Sequence, residues 1–203
     1  MKYKIVLIII SLLLLSCNKN ASIVEILPYE NFNTKEVDTI KAIFQNLFPE
    51  KQIIVKEKQA LPKSAFINIK SPRYRADEII KILSKETVAN TKTVALTNSD
   101  ISTTKYENGK VKQPAYKYKD WGIMGLAYCP GKACVVSSFR IKHPNYTVYI
   151  DRLKKVSVHE LGHTLGLRHC ANKKCVMTDA VEKVSTIDNA NLAFCEQCRT
   201  KLK

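Results

Sequence analysis

One stretch constrains this chain more than any other: His159-Glu160-Leu161-Gly162-His163-Thr164-Leu165-Gly166-Leu167-Arg168-His169-Cys170. It holds three of the four histidines in the sequence. On an α-helix, positions four apart share a face about one turn from each other, so His159 and His163 can reach one metal ion. Glu160 follows the first of them and can lean over the same site. Gly166 lies three residues past His163, where glycine lets the chain leave a helix through a left-handed conformation. His169 can then swing back as a third ligand. Three imidazoles leave a tetrahedral zinc one open position, which separates a catalytic zinc from a structural one. Neutral imidazoles suit zinc, and no carboxylate-rich cage points to calcium or magnesium.

The N-terminus reads as a secretory signal. Lys2 and Lys4 form a charged start, and Ile5 to Leu15 is apolar apart from Ser11, too short to span a bilayer comfortably. It ends in Leu14-Leu15-Ser16-Cys17, which resembles a bacterial lipobox whose cysteine is lipidated and becomes the first residue. The expected location is extracytoplasmic, lipid-anchored to a bacterial membrane, because several acyl chains hold a protein there stably. Removal of residues 1–16 leaves roughly 185 residues, enough to bury a proper core. The net charge of +15 is high. The lysines are scattered without a dense basic run, so a solvated surface accounts for them better than a nucleic-acid or membrane site. The export signal also argues against nucleic acid as a partner.

Six further cysteines follow Cys17: Cys129, Cys134, Cys170, Cys175, Cys195 and Cys198. The last four form two close pairs, and four thiolates so spaced match a closed structural zinc site. Two disulfides, Cys170–Cys175 with Cys195–Cys198 or a crossed pairing, are the alternative that export permits. A Cys-x-x-Cys bridge tends to be strained and redox-active, and the spacing favours zinc. Cys129 and Cys134 flank the turn signal Pro130-Gly131 between two expected strands. A hairpin there would bring them within bridging distance, and a disulfide is expected.

Periodicity predicts a helix over 34–48, with Val37, Ile40, Ile43, Phe44 and Leu47 on one side, Thr34 as its cap and Pro49 as its stop. A second helix is predicted over 75–86, and a third from near Asp151 that carries the histidines. Strands are predicted over 52–55, 65–69, 93–97, 121–128 and 134–141, with Asn108-Gly109 as a turn. Residues 18–33 read as a tether and leading segment. Strands mixed with helices give an α/β class.

The run His159-Glu-x-x-His-x-x-Gly-x-x-His169-Cys170-x4-Cys175-x-Met177-x17-Cys195-x-x-Cys198 resembles the archaemetzincin family of metallopeptidases, in the metzincin clan, at every motif position. The match covers about 40 residues. Gly125-Leu126-Ala127-Tyr128 and Val135-Val136-Ser137-Ser138-Phe139-Arg140 resemble the family's strands near the active site more weakly, and nothing before about Gly122 is recognisable. The resemblance implies a metzincin-like zincin fold: a twisted mixed sheet with three main helices, and two lobes (34–166 and 167–203) around a cleft. It implies that Met177 forms the Met-turn beneath the zinc ligands. It implies two zinc ions, a catalytic one on His159, His163 and His169 and a structural one on Cys170, Cys175, Cys195 and Cys198. Cys129 and Cys134 depart from the pattern. The expected activity is peptide-bond hydrolysis with Glu160 as general base, and by family analogy the strand around 135–139 holds the substrate by edge pairing. A catalytically weak zinc-binding scaffold is the alternative. The expected partners are a peptide or protein substrate and, through the anchor, a membrane, with the chain acting as a monomer.

Overall fold

The computed structural model describes residues 22–30, 32–179 and 183–202. The signal segment, Cys17 and the first residues of the expected tether lie outside them. Strand β1 (Ile23–Pro28) pairs in parallel with both β2 (Gln52–Val55) and β5 (Thr91–Thr97). Within the segment expected over 18–33 as a tether and leading segment, Ile23–Pro28 is therefore an interior strand of the main sheet. Val24 and Ile26 pack on one face and Leu27 on the other. A strand buried on both faces loses the alternation of a half-buried one, so Ile23 to Leu27, apolar except for Glu25, carries no clear period to read.

Helix α1 (Thr34–Leu47) follows β1 and crosses over to β2. Its cap is Asn33, not Thr34: the Asn33 side chain accepts from the Lys35 N–H at 2.9 Å. Beyond β2, β3 (Phe66–Asn68) and β4 (Pro72–Arg75) form an antiparallel pair that leads into α2 (Ala76–Glu86). After β5 come β6 (Ile101–Thr103) and a small hairpin of β7 (Tyr106–Glu107) and β8 (Lys110–Val111). Asn108 and Gly109 turn it with φ of 53° and 73°, the paired positive values of a tight hairpin turn. One turn of helix, α3 (Ala115–Tyr118), precedes β9 (Trp121–Ile123) and β10 (Gly125–Ala127). The single strand expected over 121–128 is thus divided at Met124, and its halves join different sheets. Strand β11 (Ala133–Ser137) follows, then α4 (Tyr146–Thr164), α5 (Val184–Asn189) and α6 (Glu196–Thr200). Helix α4 starts a turn earlier than expected because Asn145 caps it, accepting from the Thr147 N–H at 2.8 Å.

The main sheet runs β10-β11-β5-β1-β2, parallel except for β10, and a second runs β3-β4-β6-β9. Helices α1 and α4 cover one face of the main sheet, where Phe44, Leu153 and Val158 meet Ile26, Leu96 and Val136. Helix α2 covers the other face with Ile79, Ile80 and Leu83 against Leu27, Ala95 and Val135. This mixed α/β arrangement lays α4 across the sheet, so that its C-terminal half emerges beside β10. No helix among the described residues is long and apolar enough to cross a membrane.

Tyr149 of α4 donates to Glu36 Oε2 of α1 at 2.9 Å, and both side chains are buried. Burial raises the Glu36 pKa, and this hydrogen bond works against the rise. Tyr149→Phe is expected to destabilise the fold by about 1–3 kcal/mol, because Glu36 loses a buried donor. Urea unfolding measures it.

Candidate active site

Helix α4 ends in a paired turn. The Leu167 N–H reaches back to the Gly162 carbonyl at 3.0 Å and the Gly166 N–H to the His163 carbonyl at 2.9 Å. Gly166 sits between them at φ 97°, the left-handed conformation that this cap requires. The turn throws the chain back so that His169 meets the two helical histidines. Their ring centroids lie 4.6, 4.9 and 5.3 Å apart, and one nitrogen from each lies within 4.8 Å of the others.

Two of the rings are oriented by main-chain carbonyls. His159 Nδ1–H donates to the Val176 carbonyl at 2.8 Å, and His163 Nδ1–H to the Leu167 carbonyl at 2.6 Å. With Nδ1 protonated, each neutral ring carries its lone pair on Nε2. Those two Nε2 atoms face one another at 3.0 Å. Two lone pairs at that distance repel unless a cation lies between them, so the donor set fits zinc. Burial pushes the His159 imidazole down to about 3 and lowers His163 as well, which keeps both neutral and able to ligate. His169 is exposed, and its Nδ1 lies 3.6 Å from Asp179 Oδ2.

Glu160 is buried beside this cluster, and burial pushes its carboxyl up to about 8. A nearby dication would pull that value back down. Its neighbour is Gly125 of β10: a Cβ there would lie 2.5 Å from Glu160 Oε1 and 2.7 Å from its Cγ. The strand lacks a side chain at the one point where the carboxylate packs. Gly125→Ala is therefore expected to displace Glu160 and lower turnover by about ten- to a hundredfold, as small misplacements of reacting groups do. Steady-state kinetics with zinc content checked in parallel test this.

Met177 is fully buried. A Cβ on Gly162, between the two helical histidines, would lie 2.5 Å from its sulfur. The thioether therefore lies against the helix at Gly162, between the two helical histidines. The preceding residue supplies the carbonyl that orients His159, and Cys170 N–H donates to the Met177 carbonyl at 2.8 Å. Sequence reasoning missed both carbonyls, since main-chain roles leave no mark on residue identity. Gly125 and Asp179 were also missed.

The four expected cysteines come together. One sulfur from each of Cys170, Cys175, Cys195 and Cys198 lies within 4.8 Å of the others, and Cys170 and Cys195 stand at 3.6 Å, far outside a covalent bond. All four are free. The Cys198 backbone N–H pulls the Cys195 thiol down to about 7, toward the thiolate that a metal takes. Burial raises Cys198. Closed, sulfur-only and partly buried, this set fits a structural zinc.

The expected Cys129–Cys134 bridge is not formed; both thiols are free. Cys134 pairs across the ladder with Ala127 and is fully buried, while Cys129 lies beyond the ladder, exposed, its thiol donating to the Leu167 carbonyl at 3.3 Å. The strand expected to take substrate is also corrected. β11 lies between β10 and β5 with both edges paired, whereas β10 ends the sheet. A cleft of about 330 Å³ is lined by Met124 to Ala127, Val156, Val176 and Ile187 together with the three histidines and Glu160.

The model of peptidase family M54 matches residues 20–203. An archaemetzincin of Halobacterium salinarum is 32% identical over 157 residues, which span 73% of this chain and 81% of the relative. Among solved structures, the archaemetzincin of Archaeoglobus fulgidus aligns with a TM-score of 0.70 at 25% identity, covering 88% of this chain and 99% of that one. That of Methanopyrus kandleri aligns at 0.72 and 25%, covering 91% and 95%. The likeness thus runs through both metal-ligating clusters and the sheet above them, and the chain belongs to peptidase family M54, the archaemetzincin family of zinc metallopeptidases.

Proposed function

We propose that this chain hydrolyses peptide bonds at the three-histidine centre, with Glu160 moving the proton. The observation that carries this is the pair of Nε2 lone pairs facing each other at 3.0 Å, with a buried carboxylate one residue along the same helix. His159, His163 and His169 would hold a zinc ion, which would supply Lewis-acid activation of the scissile carbonyl and of the attacking water. Glu160 takes the proton from that water and delivers it to the leaving amine. The free edge of β10 offers main-chain donors and acceptors to an extended peptide, which brings the scissile bond over the histidines. Cys170, Cys175, Cys195 and Cys198 hold a second, structural zinc. The supporting geometry is their tie to the catalytic side: Cys175 directly precedes Val176, whose carbonyl accepts from His159.

The reading extends to location. Cys17 carries the lipid anchor, and the catalytic domain from Ile23 onward works outside the cytoplasm. Fatty-acid labelling of the wild type and of Cys17→Ala tests the anchor; label retained by the variant would count against it. Incubation of zinc-loaded protein with a mixed peptide pool, read by mass spectrometry of new termini, tests the activity. Defined cut sites are expected, and an untouched pool would overturn the assignment.

A further inference from the structure

The order of the main sheet reverses between β1 and β5. β1 leads through α1 to β2 on one side, while β5 continues, by way of the second sheet, to β11 on the other. Open α/β sheets place ligands in the crevice outside the carboxyl ends of the strands at such a point. Here the crevice is a cavity of about 580 Å³. Asn33 after β1, Asn98 after β5 and Ser138 after β11 line it, with Glu36 and Tyr149 from the first turns of α1 and α4. It shares no lining residue with the catalytic cleft. From Tyr149 to His159 along α4 is about 15 Å at the rise of an α-helix.

The polar groups of this cavity are unevenly satisfied. Glu36 is 7% exposed; Tyr149 donates to its Oε2 at 2.9 Å, and its Oε1 accepts no hydrogen bond among the described residues. Burial raises the Glu36 pKa, and neither that hydrogen bond nor Lys142 at longer range cancels the rise. A buried carboxylate in this state lacks a donor, and an ammonium group makes a strong one. The lining holds one lysine, Lys142, whose Nζ lies 5.7 Å from the ring centre of the exposed Phe139, a weak partner at a solvated site. His143 Nδ1 accepts from the Asn145 N–H at 3.0 Å, which leaves the neutral ring its Nε2–H to donate. The starts of α1 and α4, helices of 14 and 19 residues, add the positive ends of two helix dipoles. A lone anion would be repelled by Glu36, and a lone cation by Lys142 and both helix starts. A molecule that carries both charges satisfies both sets of groups.

We propose that this crevice binds a small zwitterion, a free amino acid or a dipeptide, with its ammonium group on Glu36 and its carboxylate toward Lys142, His143 and the helix starts. The volume leaves room for either. The site stands apart from the peptidase reading and holds whether or not the cleft hydrolyses peptides.

His143 is the one histidine outside the three-histidine centre, so its ring signals in NMR spectra of the zinc-loaded protein report on the crevice directly. The test titrates alanine and dialanine, each beside its N-acetyl form, which lacks the ammonium group, and its amide, which lacks the carboxylate. At least one of the unblocked compounds is expected to shift the His143 signals to saturation, and the tighter of the two sets the length of the ligand. Each block is expected to weaken binding about tenfold or more, as the loss of a charge-assisted contact does. Glu36→Gln keeps an oxygen for Tyr149 to donate to, and is expected to weaken binding by a similar factor. Lys142→Gln alters an exposed side chain, so it serves even if Glu36→Gln folds poorly, and is expected to weaken binding roughly two- to fivefold. No His143 shift from either unblocked compound up to about 10 mM, well past the millimolar range of weak specific binding, would overturn the site. So would equal binding of blocked and unblocked compounds, or wild-type affinity in either variant. A shift produced by the N-acetyl forms alone would overturn it as well, since the crevice would then be a plain anion site.

Discussion

Replacing Glu160 with glutamine is expected to lower peptide turnover by about a hundred- to ten-thousand-fold, the range that a general base contributes. The substitution keeps the shape of the side chain, and Gly125 leaves room for it. It removes only the ability to take a proton. Zinc content and thermal stability should therefore stay at wild-type levels, and KM should change far less than kcat. Burial is what makes Glu160 suited to the task. A carboxyl held up at about 8 by its apolar surroundings and then lowered by a neighbouring dication falls near the working range of a base at neutral pH. A Glu160→Gln protein that retains turnover with zinc bound would reassign the base.

The second large effect is expected at the four cysteines. Cys198→Ser should reduce zinc content by one ion per chain and lower both stability and activity. A closed four-thiolate site holds zinc with an apparent affinity on the order of 10–16 kcal/mol, and in a folded domain that is folding free energy. Loss of even about 4 kcal/mol of it would lower Tm by on the order of 10 °C in a chain of this size. Activity should follow through the main chain. Cys170 N–H donates to the Met177 carbonyl, Val176 N–H donates to the Ala193 carbonyl, and the Val176 carbonyl orients His159. Loosening the cysteine cluster thus loosens the first histidine. Metal analysis and differential scanning calorimetry on the variant measure both effects. Cys129→Ser is the matched control, since its thiol belongs to neither ligand set, and its zinc content should equal that of the wild type.

The three-histidine cluster was legible because it is local. His159 and His163 are set by helix geometry alone, and Gly166 by the one backbone conformation that its position requires. The four cysteines were legible because each pair is close in sequence, even though 19 residues separate the pairs. The sequence offered no comparable signal for the sheet. β1 is central because it pairs with strands about 30 and 70 residues away, a long-range fact that a short apolar run does not encode. Cys129 and Cys134 show the same limit from the other side. Their spacing suits a hairpin, but the register places Cys134 opposite Ala127 and turns its side chain into the core, out of reach of Cys129. Gly125 is the sharpest omission. In sequence it is one glycine in a strand, and only the fold shows that Glu160 fills the space where its side chain would be.

The most direct test of the central claim is a zinc titration of metal-stripped protein with cleavage of a peptide pool followed at each step. The expected result is no cleavage without metal and activity that rises with zinc until the histidine site is filled, while a His163→Ala protein takes up only the ion of the cysteine site and stays inactive. Cleavage that persists in stripped protein, or that returns in His163→Ala as zinc is added, would contradict a peptidase centre built on His159, His163 and His169.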